Sequence, residues 1–167
     1  MVRFKSRYLL CEVCVEDRSS LLLLEERAIF HAVKTAVARS HGDYGAALLI
    51  LSFAVKYVNA HTGIILIRCR KSHYRILWSA LPFISCLENR GQKVQCLISC
   101  LHVGGTIRTC QKFLVKYSTQ QLHRMLPHCK NEAERDEVRR AVLSCSLEKE
   151  RDVEEEEEVE EDDWEDE

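Results

Sequence analysis

Two stretches rich in Ile, Leu and Val, residues 46–58 and 62–70, are joined by the short segment Asn59-Ala60-His61-Thr62-Gly63. A link of that length fits a β-hairpin loop, so the two stretches are expected to be antiparallel neighbours. The rest of the fold must be built around this hairpin. In its second strand, Arg68 and Arg70 share one side, and Ile65, Ile67 and Cys69 share the other.

Residues 7–15, dominated by apolar and branched side chains, predict a strand before the hairpin, with Asp17-Arg18-Ser19-Ser20 as the following loop. Leu24, Ala28, Ile29, Ala32, Val33, Ala36 and Val37 recur at helical spacing. Glu25 and Glu26 sit in that helix's first turn, where its dipole favours acids, and Gly42 is placed to end it. After the hairpin a second helix is expected from near Ser72, with Tyr74, Leu77, Trp78 and Leu81 on one face. Pro82 bends or splits it, and Asn89-Arg90-Gly91 closes it. Residues 93–103 alternate as a fourth strand.

Two more helices are expected. One is capped by Thr106 and has the apolar face Ile107, Cys110, Leu114 and Tyr117. The other starts at Asn131, with Glu134 at capping-box spacing and Val138, Ala141, Val142 and Cys145 as its stripe. The order β-α-β-β-α-β predicts an α+β sandwich of ferredoxin-like, RRM-like type. Its four-stranded antiparallel sheet carries two helices on one face, and additional C-terminal helices follow. Enzymes, metal carriers and RNA-binding modules share that architecture, so it does not by itself assign a function.

Charge narrows the field. The net formal charge is −2, but the last twenty residues hold 15 acids and two bases. Residues 1–147 therefore carry 22 bases against 11 acids, a net of +11. A basic domain of that size points to a polyanion partner, the alternative being a solubilising surface. Residues 148–167 form an acidic tail that cannot bury enough apolar surface to order itself. No stretch has the make-up of a signal peptide or is long and apolar enough to span a bilayer. Nine cysteines, an odd number, then fit reduced thiols in the cytosol or nucleus.

Three segments supply candidate RNA contacts. Gly104-Gly105-Thr106-Ile107-Arg108 leads two glycines into a helix start, a geometry that favours an anion, with Lys112 and Lys116 farther along the helix. A flexible turn beside a solvated face is the competing interpretation. The N-terminal arm alternates Arg3, Lys5 and Arg7 with Phe4 and Tyr8, suiting backbone contact and base stacking; the competing interpretation is a charge-protected edge strand. Arg68, Arg70 and Lys71 end the third strand. That strand lacks the aromatic signature of an RNA-recognition motif, so phosphate contacts to folded RNA fit better than stacking across the sheet. All three segments are expected to form one basic surface.

Cys11 and Cys14 face opposite sides of a strand, and Cys96 and Cys100 are too spread along an extended chain to share an ion. Free buried thiols are expected there, with no metal or cofactor held by the protein. The seven His fall in no nucleophile or metal signature, and no catalytic motif marks residues 1–147.

Several stretches together resemble the small protein subunit shared by ribonuclease P and ribonuclease MRP, the POP-five family. They are Met1-Val2-Arg3-Phe4-Lys5 with Arg7-Tyr8-Leu9-Leu10-Cys11-Glu12, His41-Gly42-Asp43-Tyr44-Gly45-Ala46-Ala47, residues 53–60 with Thr62-Gly63, Leu66-Ile67-Arg68-Cys69-Arg70-Lys71, residues 78–84, and residues 102–114. The resemblance covers most of residues 1–117 and implies a ferredoxin-like fold within a nuclear and nucleolar ribonucleoprotein. That particle removes the 5′ leader of precursor tRNA, and its MRP relative processes precursor ribosomal RNA. It further implies that the RNA, with Mg2+, is the catalyst. The protein would then be a non-catalytic support of ribonuclease P RNA and MRP RNA. It would work beside a TIM-barrel-like protein subunit and others, meet precursor tRNA only indirectly, and have no membrane partner. A protein–protein adaptor without direct RNA contact is the alternative.

Overall fold

The structure, a computed structural model, describes residues 4–50, 52–89, 91–129 and 131–140. Arg3, Ala141, Val142, Cys145 and the acidic tail lie outside the described residues. The chain divides into two compact units, Met1–Cys110 and Gln111–Glu167.

In the first unit β1 (Ser6–Val15) leads through a 3-10 turn, Arg18–Leu23, into α1 (Glu26–Ile50). The turn is capped by Asp17, whose carboxylate accepts from the amide and hydroxyl of Ser19. Those bonds hold its pKa below the usual carboxylate value. Next come β2 (Ala54–Asn59), β3 (Ile64–Arg70), α2 (Tyr74–Ala80), β4 (Cys86–Asn89) and β5 (Gln92–Gly104). The strands form one antiparallel sheet in the order β2-β3-β1-β5-β4. Set β4 aside and this is the expected ferredoxin-like order, with β1 in the middle.

The period of two sorts the sheet's side chains. Leu9, Cys11 and Val13 of β1 lie on one face with Ile65, Ile67 and Cys69 of β3. α1 adds Ile29, Val33, Val37 and Leu49 to that core, and α2 adds Leu77. Each Leu or Ile buried there contributes about 1.5–3 kcal/mol. Phe30 of α1 stacks on Phe53, with ring centroids 4.7 Å apart. No polar or charged side chain is buried among the described residues.

The structure corrects four expectations. Residues 46–50 continue α1 and do not begin a strand. Ala and Leu are strong helix formers, and the segment buries Leu49 while exposing Ile50. Gly42 kinks α1 instead of ending it, with φ 64° and ψ −165°. A Cβ on Gly45 would lie 2.4 Å from the Cβ of His41, so only glycine lets the kink close. A fifth strand, β4, occupies the stretch before Asn89, and Gly91, at φ 81°, turns a hairpin there in place of closing a helix. Trp78 is 52% exposed, not on the buried face of α2, because Leu77 and Ala80 fill the core side of so short a helix. Pro82 splits the segment as expected, into α2 and a 3-10 turn, Leu81–Phe83.

α3 (Ile107–Met125) has its first residues in the first unit and the rest in the second. Within the second unit Phe113 and Tyr117 stack on one another. Pro127 lies in a 3-10 turn, Leu126–His128, and residues 132–140 are helical. Among the described residues no helix is long and apolar enough to cross a membrane.

Cys11 and Cys100 face each other across β1 and β5. Their hydrogen bond, and then burial, push the Cys11 thiol well up, while the same bond holds Cys100 down. Burial pushes Cys96 up to about 11. A raised thiol pKa supports the fold fully below the free-thiol value of about 8.5, and this support is lost as pH rises through about 11. The melting temperature should therefore fall across that alkaline window, and Cys96→Ala should lessen the slope. A profile identical in the variant would remove Cys96 as a cause.

Two glycines at positive φ offer a sharper test. A Cβ at Gly63 (φ 73°) would meet the Val13 carbonyl oxygen at 2.7 Å, whereas one at Gly91 (φ 81°) meets nothing within 4 Å. In urea unfolding Gly91→Ala should cost about 1–2 kcal/mol, the left-handed penalty alone, and Gly63→Ala clearly more. Equal losses would mean that β1 yields to the intruding methyl.

Candidate nucleic-acid interface

Because β1 is central and antiparallel to both neighbours, its start meets the ends of β3 and β5. Ser6 lies opposite Arg70, and Tyr8 lies opposite both Arg68 and Gly104. α2 and α3 begin just past those strand ends. One end of the sheet therefore gathers Lys5, Arg7, Arg68, Arg70, Lys71, Arg75, the Gly104–Thr106 turn and Arg108.

Specific contacts fix these side chains. The Lys71 amide donates to the Lys5 carbonyl at 2.8 Å, tying the arm to the end of β3. Arg68 Nε donates to Ser6 Oγ at 3.1 Å. The Arg70 guanidinium stands over the Phe4 ring, 4.2 Å from its centroid. The Arg7 guanidinium lies against Gly105, where a Cβ would come within 3.0 Å of its Nη1. Arg75 Nε donates to the Tyr74 hydroxyl at 3.5 Å. That bond and the Arg75 charge, with smaller help from Arg7 and Lys71, hold the Tyr74 phenol below its ordinary pKa.

Among the described residues, none of Lys5, Arg7, Arg68, Arg70, Lys71 and Arg75 lies within ion-pair distance of a carboxylate. Several carboxylates sit at the other end of the sheet. Glu16 and Asp17 follow the far end of β1, Glu25 and Glu26 open α1, and Glu88 pairs across from Lys93. Neither α2 nor α3 has an acid in its first turn. Cations beside helix N-termini oppose the helix dipole, so an anion at this end relieves both the mutual repulsion of the cations and the exposed N–H dipoles.

The start of α3 is built by its own residues. The Thr109 amide donates to Thr106 Oγ1 at 3.2 Å, and the Thr106 amide donates to Thr109 Oγ1 at 3.3 Å. This is a reciprocal cap with threonine in the place usually held by Glu or Gln. Gly104 must be glycine, since a Cβ would fall 2.5 Å from Thr109 Oγ1 and 2.7 Å from Cys110 Sγ. The Cys110 thiol in turn donates to the Tyr8 carbonyl at 3.6 Å, anchoring the helix start to β1.

The sequence-derived residues are therefore brought together in part. Arg68 and Arg70 share a face, as the alternation requires, because Ile65, Ile67 and Cys69 between and beside them are fully buried. Arg7 does not join that face. It lies directly opposite Cys69, on the side covered by the helices. Within the first unit these cations lie along a rim at the sheet end, on both of its faces. Lys112 and Lys116 lie on α3 in the second unit, and Arg3 lies outside the described residues. Arg75 was missed by the sequence reading. Its signal is the dipeptide Tyr74-Arg75 opening α2, of which only Tyr74 marks the apolar face. Cys11 is fully buried and Cys14 exposed, on opposite strand faces.

A family model described as the Rpp14/Pop5 family matches residues 7–115. The Danio rerio protein "Ribonuclease P/MRP protein subunit POP5" is 64% identical over 149 residues, 88% of each chain. The Homo sapiens protein of that name is 52% identical over 151 residues, 90% of this chain and 93% of its own. A chain in the cryo-EM structure of yeast ribonuclease MRP has a TM-score of 0.48 at 13% identity, covering 64% of this chain and 79% of that one.

The α3 cap is directly testable. Thr106→Ala should lower stability by about 1 kcal/mol and speed amide exchange in the first turn of α3, while Thr106→Asp should retain both. Unchanged exchange in the alanine variant would mean that packing of Cys110, not the cap, fixes the helix start.

Proposed function

The chain belongs to the Rpp14/Pop5 family, and on that premise we propose that it is a protein subunit shared by ribonuclease P and ribonuclease MRP, seated on the particle's RNA through the basic end of its sheet. The observation that carries this reading is the set of six cations at one end of the fold with no carboxylate partner among the described residues. Phosphate is the partner such a rim suits. It lowers the repulsion among the cations, and each contact releases condensed counterions from the RNA.

The contact set proposed in the first unit is Lys5, Arg7, Arg68, Arg70, Lys71, Arg108 and the backbone of Gly104, Gly105 and Thr106, with Arg75 added to it. Arg3, Lys112 and Lys116 extend the proposal along the chain on sequence grounds.

The protein's part is to position and brace, not to cleave. A cationic rim suits phosphate and repels a metal cation. We assign the Mg2+ used in cleavage to the RNA. Its substrates would be the 5′ leader of precursor tRNA and precursor ribosomal RNA, met by the particle and not by this chain alone. A TIM-barrel-like protein subunit is the proposed neighbour, and the nucleus, including the nucleolus, the proposed location.

Arg7→Gln with Arg68→Gln tests the rim on both faces of the sheet. Binding of the full chain to ribonuclease P RNA, followed between about 50 and 200 mM salt, should weaken. The slope of log affinity against log salt should flatten by roughly one unit per lost phosphate contact. An unchanged slope would remove the rim from the RNA interface.

A further inference from the structure

Phe4 is 70% exposed, yet it is held in place. The Lys71-to-Lys5 hydrogen bond extends the β1–β3 ladder past the Ser6–Arg70 pair and fixes the backbone beside it. The Arg70 guanidinium then covers the ring from 4.2 Å. Phe4, Lys5, Arg70, Lys71 and Ser72 line an open recess of about 400 Å³. An aromatic ring fixed in water by a cation, at the lip of a cationic recess, serves no packing purpose in the first unit: Phe4 is not part of the buried core.

We propose that this recess takes one unpaired nucleotide of RNA, its base stacked on Phe4 and its phosphate against Lys5 and Lys71. The inference rests on the RNA-binding reading above and adds what kind of RNA feature the rim selects. Base-paired RNA presents phosphates to Lys5 and Lys71 but keeps its bases stacked inside the helix, so the ring would gain nothing from it. An extruded base offers a π-face that any aromatic side chain can stack on. Arg70 organises the site twice over. It holds the ring by a cation–π contact, and it leaves positive charge where the nucleotide's phosphate must pass. The stacking platform sits at the end of the sheet and not across its face, which accounts for an RNA-contacting surface without aromatics along β3.

Two hairpin RNAs of equal length decide the matter, one fully paired and one with a single bulged 2-aminopurine. With the full chain, the bulged hairpin should bind more tightly by about 5- to 100-fold, and the 2-aminopurine emission should be quenched. Phe4→Leu should lose both the preference for the bulge and the quenching. Phe4→Tyr should retain both. If Phe4→Leu binds and quenches like the parent protein, or if the bulge confers no advantage, the recess is not a nucleotide site. Equal, salt-sensitive binding of both hairpins would overturn the recess alone and leave the basic rim standing. Failure to bind either would overturn both.

Discussion

The double pairing of β1 is the constraint on which the rest of the molecule depends. Its residues are bonded to β3 from Ser6 to Glu12 and to β5 from Tyr8 to Val15. A strand bonded on both edges cannot slip by one residue without turning Leu9, Cys11 and Val13 out of the core. The register is therefore fixed on both sides at once. It fixes as well where the arm emerges, which strand ends stand beside it, and where α2 and α3 begin. The basic rim is assembled by topology from segments far apart in the chain, and no continuous stretch of sequence contains it.

The clustering of charge follows from the same geometry. With no polar side chain buried among the described residues, charges can sit only on the outer sheet face, on the helix exteriors and at the two sheet ends. Charges are spread over those exteriors, but cations gather where β3 gives way to α2. The cluster raises a positive potential at that end. It can orient an incoming polyanion before any contact forms, an effect that weakens with salt.

Much of this was legible in the sequence. The hairpin, the central strand, the α1 stripe and the cap at Thr106 each rest on a local signal, periodicity or turn chemistry, that tertiary packing did not override. The failures have physical causes. Residues 46–50 are apolar throughout, and a short apolar run fits a buried strand and a helix turn equally; the kink at Gly42, which lets the helix go on, depends on Gly45 packing against His41. β4 is four residues long, too short for its alternation to register. Trp78 was placed by spacing alone, but a helix of seven residues has room for only one buried row. At the site, Arg68 and Arg70 were correctly paired by parity. The opposite facing of Arg7 depends on its pairing with Cys69 across strands, which one strand's pattern cannot reveal.

The central place of the first strand has a consequence for synthesis. β1 is made first, but its partner β5 ends only at Gly104. At a ribosomal rate of about 5–20 residues per second, roughly 5–20 s separate the two. Through that interval β1 has an edge with unsatisfied amides and carbonyls, and its apolar face is uncovered, the features that recruit foreign strands. Long sequence separation between partners also slows folding itself. Nascent chains of this protein are thus exposed to misassociation until the whole of β5, through Gly104, has been made.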